Sequence, residues 1–191
     1  MVRSGQAAAL ALCIALTLGV SGCATFAVPA YSPDYPTLDR LKTARLAPVA
    51  IQPFAPQDPA APVTLLTLRG APFAPAKGTF ASYIETAMRQ DMAELRRLDP
   101  NAPTQLSATL LRNEFDFSGL SVGTGTIELR VVVTRAGLTR LDKTYSASGQ
   151  YESHLAANVA VPRAQAEYPS LVRRLLRNVY ADAAFLAALQ P

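Results

Sequence analysis

The chain has 191 residues, a formal net charge of +4 and a hydrophobic fraction of 50%. This length suits one domain with a real core, and so weak a positive charge does not indicate nucleic-acid binding. The chain has two cysteines, Cys13 and Cys23, both within an N-terminal segment that we interpret as a signal. The folded domain therefore has no cysteine for a disulfide or for a cysteine-type zinc site.

The first informative feature in chain order is a short apolar run that ends at a cysteine. Arg3 precedes an uncharged stretch over 7–20, which is shorter than the roughly 20 apolar residues of a permanent membrane span. A basic start and an apolar centre of this length are typical of a signal peptide. Four residues close the run in the form of a lipobox: Val20, Ser21, Gly22 and Cys23.

This V-S-G-C ending resembles that of bacterial lipoprotein precursors. The resemblance implies that the signal peptide 1–22 is removed and that Cys23 becomes the lipidated first residue, carrying palmitate-type acyl chains. Several acyl chains anchor a protein firmly, whereas one binds only marginally. Ala24 follows where inner-membrane lipoproteins usually have Asp, which implies the periplasmic face of the outer membrane. The alternative is an ordinary secreted protein with a coincidental cysteine.

The mature chain keeps 17 basic and 14 acidic residues, for a net charge of +3. Its first part, over 24–38, has no period and contains several Pro and Tyr residues. Proline favours extended, stiff backbone. We therefore predict a lipidated, Pro-rich tether over 23–45, followed by a single periplasmic domain over 46–190. The tether ends in a charged patch that could meet membrane headgroups or only solvent: Asp39, Arg40, Lys42 and Arg45.

The domain begins with two short strand candidates, 47–54 and 63–68, which we expect to pair with each other although prolines interrupt the pattern. A helix is predicted over 79–98, with Thr79 as its N-cap. Its apolar stripe recurs every three or four residues: Phe80, Ile84, Met88, Met92 and Leu95. The opposite, polar side comprises Glu85, Arg89, Asp91, Glu94 and Arg96.

Three alternating segments follow, over 105–117, 126–134 and 141–151, and predict an antiparallel meander. The apolar parity of the first segment shifts near Leu110, which predicts a bulge or a change of exposed face. A closing amphipathic helix is predicted over 169–189, with Pro169 in its first turn. The resulting fold class is α+β: a two-layer sandwich of a mostly antiparallel sheet and two amphipathic helices, in the order β-β-α-β-β-β-α.

Chemistry-bearing motifs are scarce in this sequence. His154 is the single histidine, and we interpret it as a surface or capping residue; a hydrolase that uses it as a base is the minor alternative. The glycine-rich loop with Gly119, Gly123 and Gly125 matches no phosphate-binding motif and indicates a hairpin loop. We therefore predict no catalytic residue, no cofactor and no metal site, and hence no enzyme.

A basic cluster on the closing helix is the candidate docking site. Arg173, Arg174 and Arg177 are spaced so that neighbouring side chains share a surface. One interpretation is a docking face for an acidic partner protein or lipid, and the other is the polar side of an amphipathic helix. Cations near a helix N-terminus gain nothing from the helix dipole, which favours the docking interpretation slightly.

The layout after the lipobox resembles that of small uncharacterised Gram-negative periplasmic lipoproteins. The segments TFASYIETAMRQDMAEL, LSATLLRNEFDFS, GTIELRVVVTRAG and KTYSASGQY carry the resemblance, which covers about residues 46–189. The layout is more distantly similar to auxiliary lipoproteins of ABC-type envelope transporters. This similarity implies a transport association but supplies no catalytic residues.

These observations give two hypotheses for the function. The first is a membrane-anchored, non-catalytic accessory or adaptor of a cell-envelope transport or assembly system, with an envelope protein as its partner. The second is a carrier or binder of a small apolar or lipid ligand held between sheet and helices, which requires an apolar cavity with few polar groups.

Overall fold

The structure is a computed structural model that describes residues 25–191. In that part of the chain the strands are β1 (Phe26–Val28), β2 (Ala50–Ile51), β3 (Ala55–Pro56), β4 (Leu66–Leu68), β5 (Ala71–Pro75), β6 (Thr104–Asp116), β7 (Val122–Arg135) and β8 (Leu138–Glu152). The helices are α1 (Tyr35–Leu41), α2 (Phe80–Glu94), α3 (Ala157–Ala181) and α4 (Ala183–Ala188), with a 3-10 turn at Pro62–Thr64.

The main sheet has the order β2-β6-β7-β8, and β3 also pairs with β6. The long strands β6, β7 and β8 are antiparallel, whereas β2 and β3 run parallel to β6. Alternate side chains of the long strands face α2 and α3 and form the core. The predicted α+β class and antiparallel meander are confirmed, and the register shift between Leu110 and Arg112 is the expected bulge.

Local sequence explains how the long strands and α2 begin and turn. Ala136 and Gly137 both have positive φ, 49° and 78°, as a two-residue hairpin between right-twisted strands requires. Thr79 caps α2 as predicted: its hydroxyl accepts the Ser82 amide at 3.2 Å, and the Ser82 hydroxyl accepts the Thr79 amide at 2.8 Å. The strand β7 begins earlier than expected, so the predicted loop over 118–125 shortens to a connection before Val122.

The first strand candidates do not pair with each other as predicted. β2 and β3 both pair with β6, while β4 pairs with β5 in a separate small sheet of order β1-β5-β4. The prolines explain the short ladders, because each removes a backbone donor.

The predicted tether over 23–45 differs most from the structure. From Phe26 onward the chain forms β1, which pairs in parallel with β5, and then α1. Proline does not prevent this, because Pro36 lies in the first turn of α1, where its missing N–H would have no partner anyway. Leu38 and Leu41 of α1 are buried in the core. The prediction of an extended tether is therefore wrong from Phe26 onward.

The closing helix also differs from its prediction. α3 begins at Ala157, and Pro169 lies inside it rather than in its first turn. Burial of Ala164 and Tyr168 continues the apolar stripe across the prolines, so packing outweighs their helix-breaking tendency. Asp182 has extended backbone, ends α3, and caps α4 by accepting the Ala184 amide at 3.2 Å. The single predicted helix is therefore two.

Candidate functional site

The predicted lipid attachment site lies outside the described residues. Val20, Ser21, Gly22 and Cys23 all precede Thr25, where the described chain begins. The structure nevertheless defines the segment that follows them. We call residues 26–41 the N-terminal strap.

Both long helices hold the strap through side-chain donors. The Tyr83 hydroxyl of α2 donates to the Pro29 carbonyl at 2.9 Å. The Gln165 amide of α3 donates to the Ala27 carbonyl at 2.8 Å. Both contacts lie at the surface and join backbone carbonyls of the strap to side chains of the helices. The strap is thus part of the domain.

A buried carboxylate forms the deepest attachment of the strap. Asp91 of α2 is 1% exposed and accepts hydrogen bonds from Tyr31 at 3.0 Å and from Tyr180 of α3 at 3.0 Å. Burial raises the pKa of Asp91 to about 6, although both tyrosine hydrogen bonds act to lower it. The same burial, together with the Asp91 charge, raises the pKa of Tyr31 well above its ordinary value. Asp91 therefore joins the strap, α2 and α3.

The sequence analysis placed Asp91 on the polar side of the helix, which is wrong. A signal was present, because Asp91 follows Ile84 by seven residues and Met88 by three, the spacing of the buried stripe itself. Its charge suggested solvent exposure. Only the two tyrosines, distant in sequence, make a buried position acceptable.

The three arginines of the predicted docking cluster lie on α3 and make different contacts. Arg177 pairs with Asp34 of the strap at 2.7 Å, and Arg174 donates to the Ser148 carbonyl of β8 at 2.6 Å. Arg173 is half-buried and donates to the Ser170 hydroxyl on its own helix at 2.8 Å. Two of the three side chains thus connect elements of the fold. The docking role of the cluster stays a prediction.

The contact with Arg177 affects the pKa of Asp34 in the strap. Partial burial acts to raise the pKa of Asp34, but hydrogen bonds from Arg177 and Thr37 outweigh it and hold that pKa below its ordinary value. The ion pair connects residues far apart in the sequence.

The remaining candidates occupy positions at the edges of the domain. The His154 Nδ1 accepts the Ala156 amide at 3.0 Å, just before α3 begins, in agreement with the capping interpretation. Gly123 and Gly125 lie within β7 rather than in a loop. In the charged patch, Lys42 pairs with Asp39 at 2.8 Å, with both side chains largely exposed.

The open grooves that border the strap include two of about 400 Å³ or more. One, of about 400 Å³, is mostly apolar and lies between the strap, the end of β5 and α2; its lining includes Val28, Tyr31, Pro75, Tyr83 and Thr86. The other, of about 500 Å³, lies between α1 and α3; its lining includes Thr37, Arg40, Arg177 and Asn178. Within residues 25–191 no group of His, Cys, Asp and Glu side chains could hold a metal ion. No helix in that range has both the length and the apolarity to cross a membrane.

No protein-family model matches the chain, and no curated protein matches it by sequence. Among solved structures, protein XCC0632 from Xanthomonas campestris, of family-model DUF330, has a TM-score of 0.57 at 11% identity, covering 86% of this chain and 96% of that one. A candidate lipoprotein from Caulobacter crescentus has a TM-score of 0.45 at 14% identity, covering 80% and 97%. Lipoprotein GNA1162 from Neisseria meningitidis has a TM-score of 0.30 at 16% identity, covering 55% and 83%.

The Xanthomonas protein therefore shares the fold of this chain over most of both lengths. At 11% identity the similarity concerns the fold alone, because one fold can carry many different functions. The predicted similarity to transporter auxiliary lipoproteins stays a prediction.

Proposed function

We propose that this chain is a lipoprotein, anchored through Cys23 to the periplasmic face of a Gram-negative outer membrane. Its domain would act there as a non-catalytic accessory or adaptor of an envelope transport or assembly system. The single observation that carries the proposal is the V-S-G-C lipobox at the end of a signal-length apolar run.

The contacts of the two most plausible proton-transfer groups support a non-catalytic role. The His154 Nδ1 accepts the Ala156 backbone amide, which ties this side chain to the turn before α3. Asp91 is covered by two tyrosine hydroxyls and connects three elements. Both side chains are thereby used to hold the fold.

The anchor can be tested by labelling the full-length protein in growing cells with an alkyne analogue of palmitate. We expect Cys23→Ser to abolish labelling and leave uncleaved or soluble protein, while Cys13→Ser keeps full labelling as the matched control. Labelling that survives in the Cys23 variant would contradict a lipid on this residue.

The adaptor role can be tested by crosslinking the anchored protein in cells and identifying what it captures. Arg173 is a suitable site to perturb, because its hydrogen bond to Ser170 lies within α3 and joins no other element. If the arginine cluster docks a partner, Arg173→Glu should reduce capture of a reproducible envelope protein. Arg140→Glu, on an exposed part of β8 outside the cluster, is the charge-matched control. Equal capture by all three proteins would contradict docking at the cluster.

The groove of about 400 Å³ favours a second candidate, binding of an apolar ligand. Organic extracts of the purified full chain should then contain a stoichiometric lipid. Thr86→Trp, which fills the groove, should remove the lipid, whereas Thr139→Trp on exposed β8 should not. Extracts without lipid would end this alternative.

A further inference from the structure

The direction of β1 shows which end of the domain meets the anchor. β1 runs parallel to β5, with Phe26 opposite Phe73. The N-terminal end of β1 therefore points toward the turn at Arg69 that joins β4 to β5. The first described residue, Thr25, lies at this end of the domain.

Two further loops meet at the same end, and Arg69 joins them. Its guanidinium donates to the Ser118 carbonyl at 3.2 Å and to the His154 carbonyl at 2.7 Å. The Ser153 amide also donates to the Ser121 carbonyl at 2.9 Å. The connection between β6 and β7 and the connection between β8 and α3 are thus held side by side.

These loops carry large apolar side chains that the core does not use. Leu120 and Leu155 are each 69% exposed, and Val122 is 50% exposed. Beside them, Phe26 and Val161 line a mostly apolar groove of about 300 Å³ with the start of α3. We call Leu120, Val122 and Leu155 the anchor-end patch. Clustered exposed apolar side chains of this kind mark an interaction surface.

The distance along the chain limits how far this patch can be from the anchor. Cys23 precedes Phe26 by three residues, and a fully extended chain spans at most about 3.6 Å per residue. The Cα atom of Cys23 can therefore be at most about 11 Å from the Cα atom of Phe26. Headgroup regions are several Å thick on each side of a bilayer. If Cys23 carries the proposed lipid, the anchor-end patch lies close to the membrane.

We propose that Leu120, Val122 and Leu155 insert into the bilayer that carries the Cys23 lipid, so that the domain rests on the membrane instead of extending away from it. The side chains of the patch would lie at the boundary between lipid headgroups and acyl chains. This inference rests on the proposed lipid anchor. Burial of exposed apolar side chains at that boundary adds to the binding that acyl chains supply.

The chain offers a matched control at its opposite end. Leu138 is 68% exposed, almost the same as Leu120 and Leu155, but it begins β8 at the other end of the β7–β8 hairpin. The strand length separates it from the patch by on the order of 45 Å. Leu138 matches Leu120 and Leu155 in exposure but lies at the other end of the domain, so a difference between their labels reports their position.

The test uses the full-length protein, processed in cells and reconstituted into vesicles of phosphatidylethanolamine and phosphatidylglycerol. Leu120→Cys, Leu155→Cys and Leu138→Cys are each labelled with an environment-sensitive fluorophore. We expect blue-shifted emission, and quenching by nitroxides on lipid acyl chains, at positions 120 and 155 but not at 138. Water-like emission at all three positions would overturn the proposal.

Mass spectrometry of the same samples separates two kinds of failure. If Cys23 lacks acyl chains, both the lipoprotein assignment and this inference fail. If Cys23 is acylated while the labels at 120 and 155 stay in water, only the inference fails. Labels that are shielded in native envelope membranes but not in lipid vesicles would likewise overturn bilayer insertion and assign the patch to a protein partner.

Discussion

The long-stranded half of the main sheet and the N-terminal strap are stabilised in different ways. β6, β7 and β8 form continuous backbone ladders, and alternate side chains point into one core. The strap has a three-residue strand and depends on side-chain contacts with partners far away in sequence, such as Asp91 and Arg177. The sheet is therefore encoded locally, whereas the strap is encoded by pairs of distant residues.

The largest effect should come from the sheet, and it should unfold both regions together. Leu129 is fully buried at the centre of β7, so Leu129→Ala removes packing and leaves a cavity. We expect a loss of about 2–5 kcal/mol in the free energy of unfolding, measured by urea titration of the full chain. Thr144→Ala on the exposed face of β8 is the control and should change it by less than about 0.5 kcal/mol. A Leu129→Ala loss no greater than that of the control would contradict this packing.

This contrast explains what the sequence could predict. Period-two alternation located β6, β7 and β8, and a parity shift located the bulge at Leu110, because both signals are contained in the strands themselves. The N-cap of α2 was also visible, since capping depends on neighbours within one turn.

The strap and the Asp91 contacts could not be found in the same way. β1 forms only by pairing with β5, and Asp91 can be buried only because Tyr31 and Tyr180 donate to it. These partners are far apart in the sequence, so no short segment of sequence reveals either feature. Prolines in the strap suggested extended chain, and a charged residue suggested a solvated face. In both cases tertiary contacts decided the outcome.

An intermediate effect should appear as a pH dependence that distinguishes the Asp91 contacts from the sheet. The pKa of Asp91 is about 6 in the folded chain against an ordinary 3.8, so the folded state binds the extra proton between these values. Its contribution to stability is thus fully present at low pH and is lost as pH rises through about 6. From pH 5 to pH 7.5 we expect a loss of about 1 kcal/mol in the free energy of unfolding.

Two variants isolate that pH dependence. Asp91→Asn should make the free energy of unfolding nearly independent of pH between pH 5 and 7.5, because the titrating group is gone. Tyr31→Phe removes one hydrogen bond to the ionised carboxylate, so it should lower stability more at pH 7.5 than at pH 5. Urea titrations at the two pH values measure both. An Asp91→Asn slope equal to that of the unaltered chain would refute the assignment.

The smallest effect on global stability should come from the ion pair between the strap and α3. Asp34 and Arg177 lie partly in solvent, where such pairs contribute about 0–1 kcal/mol. Asp34→Ala should therefore leave the urea midpoint nearly unchanged while hydrogen exchange in α1 accelerates. Exchange in β7 should stay the same as the internal control. Equal acceleration in β7 would mean that the strap and the sheet open as one unit.

The central claim is that the chain becomes part of the folded domain within three residues of the predicted lipid site. Hydrogen exchange of the membrane-anchored full-length protein, followed by mass spectrometry, tests it most directly. We predict that the β1 amides that bond to β5 are protected to a degree comparable with the amides of β5, because the two strands are hydrogen-bonded. Exchange of these β1 amides as fast as in the exposed loop over 76–78 would contradict the claim and support a flexible tether.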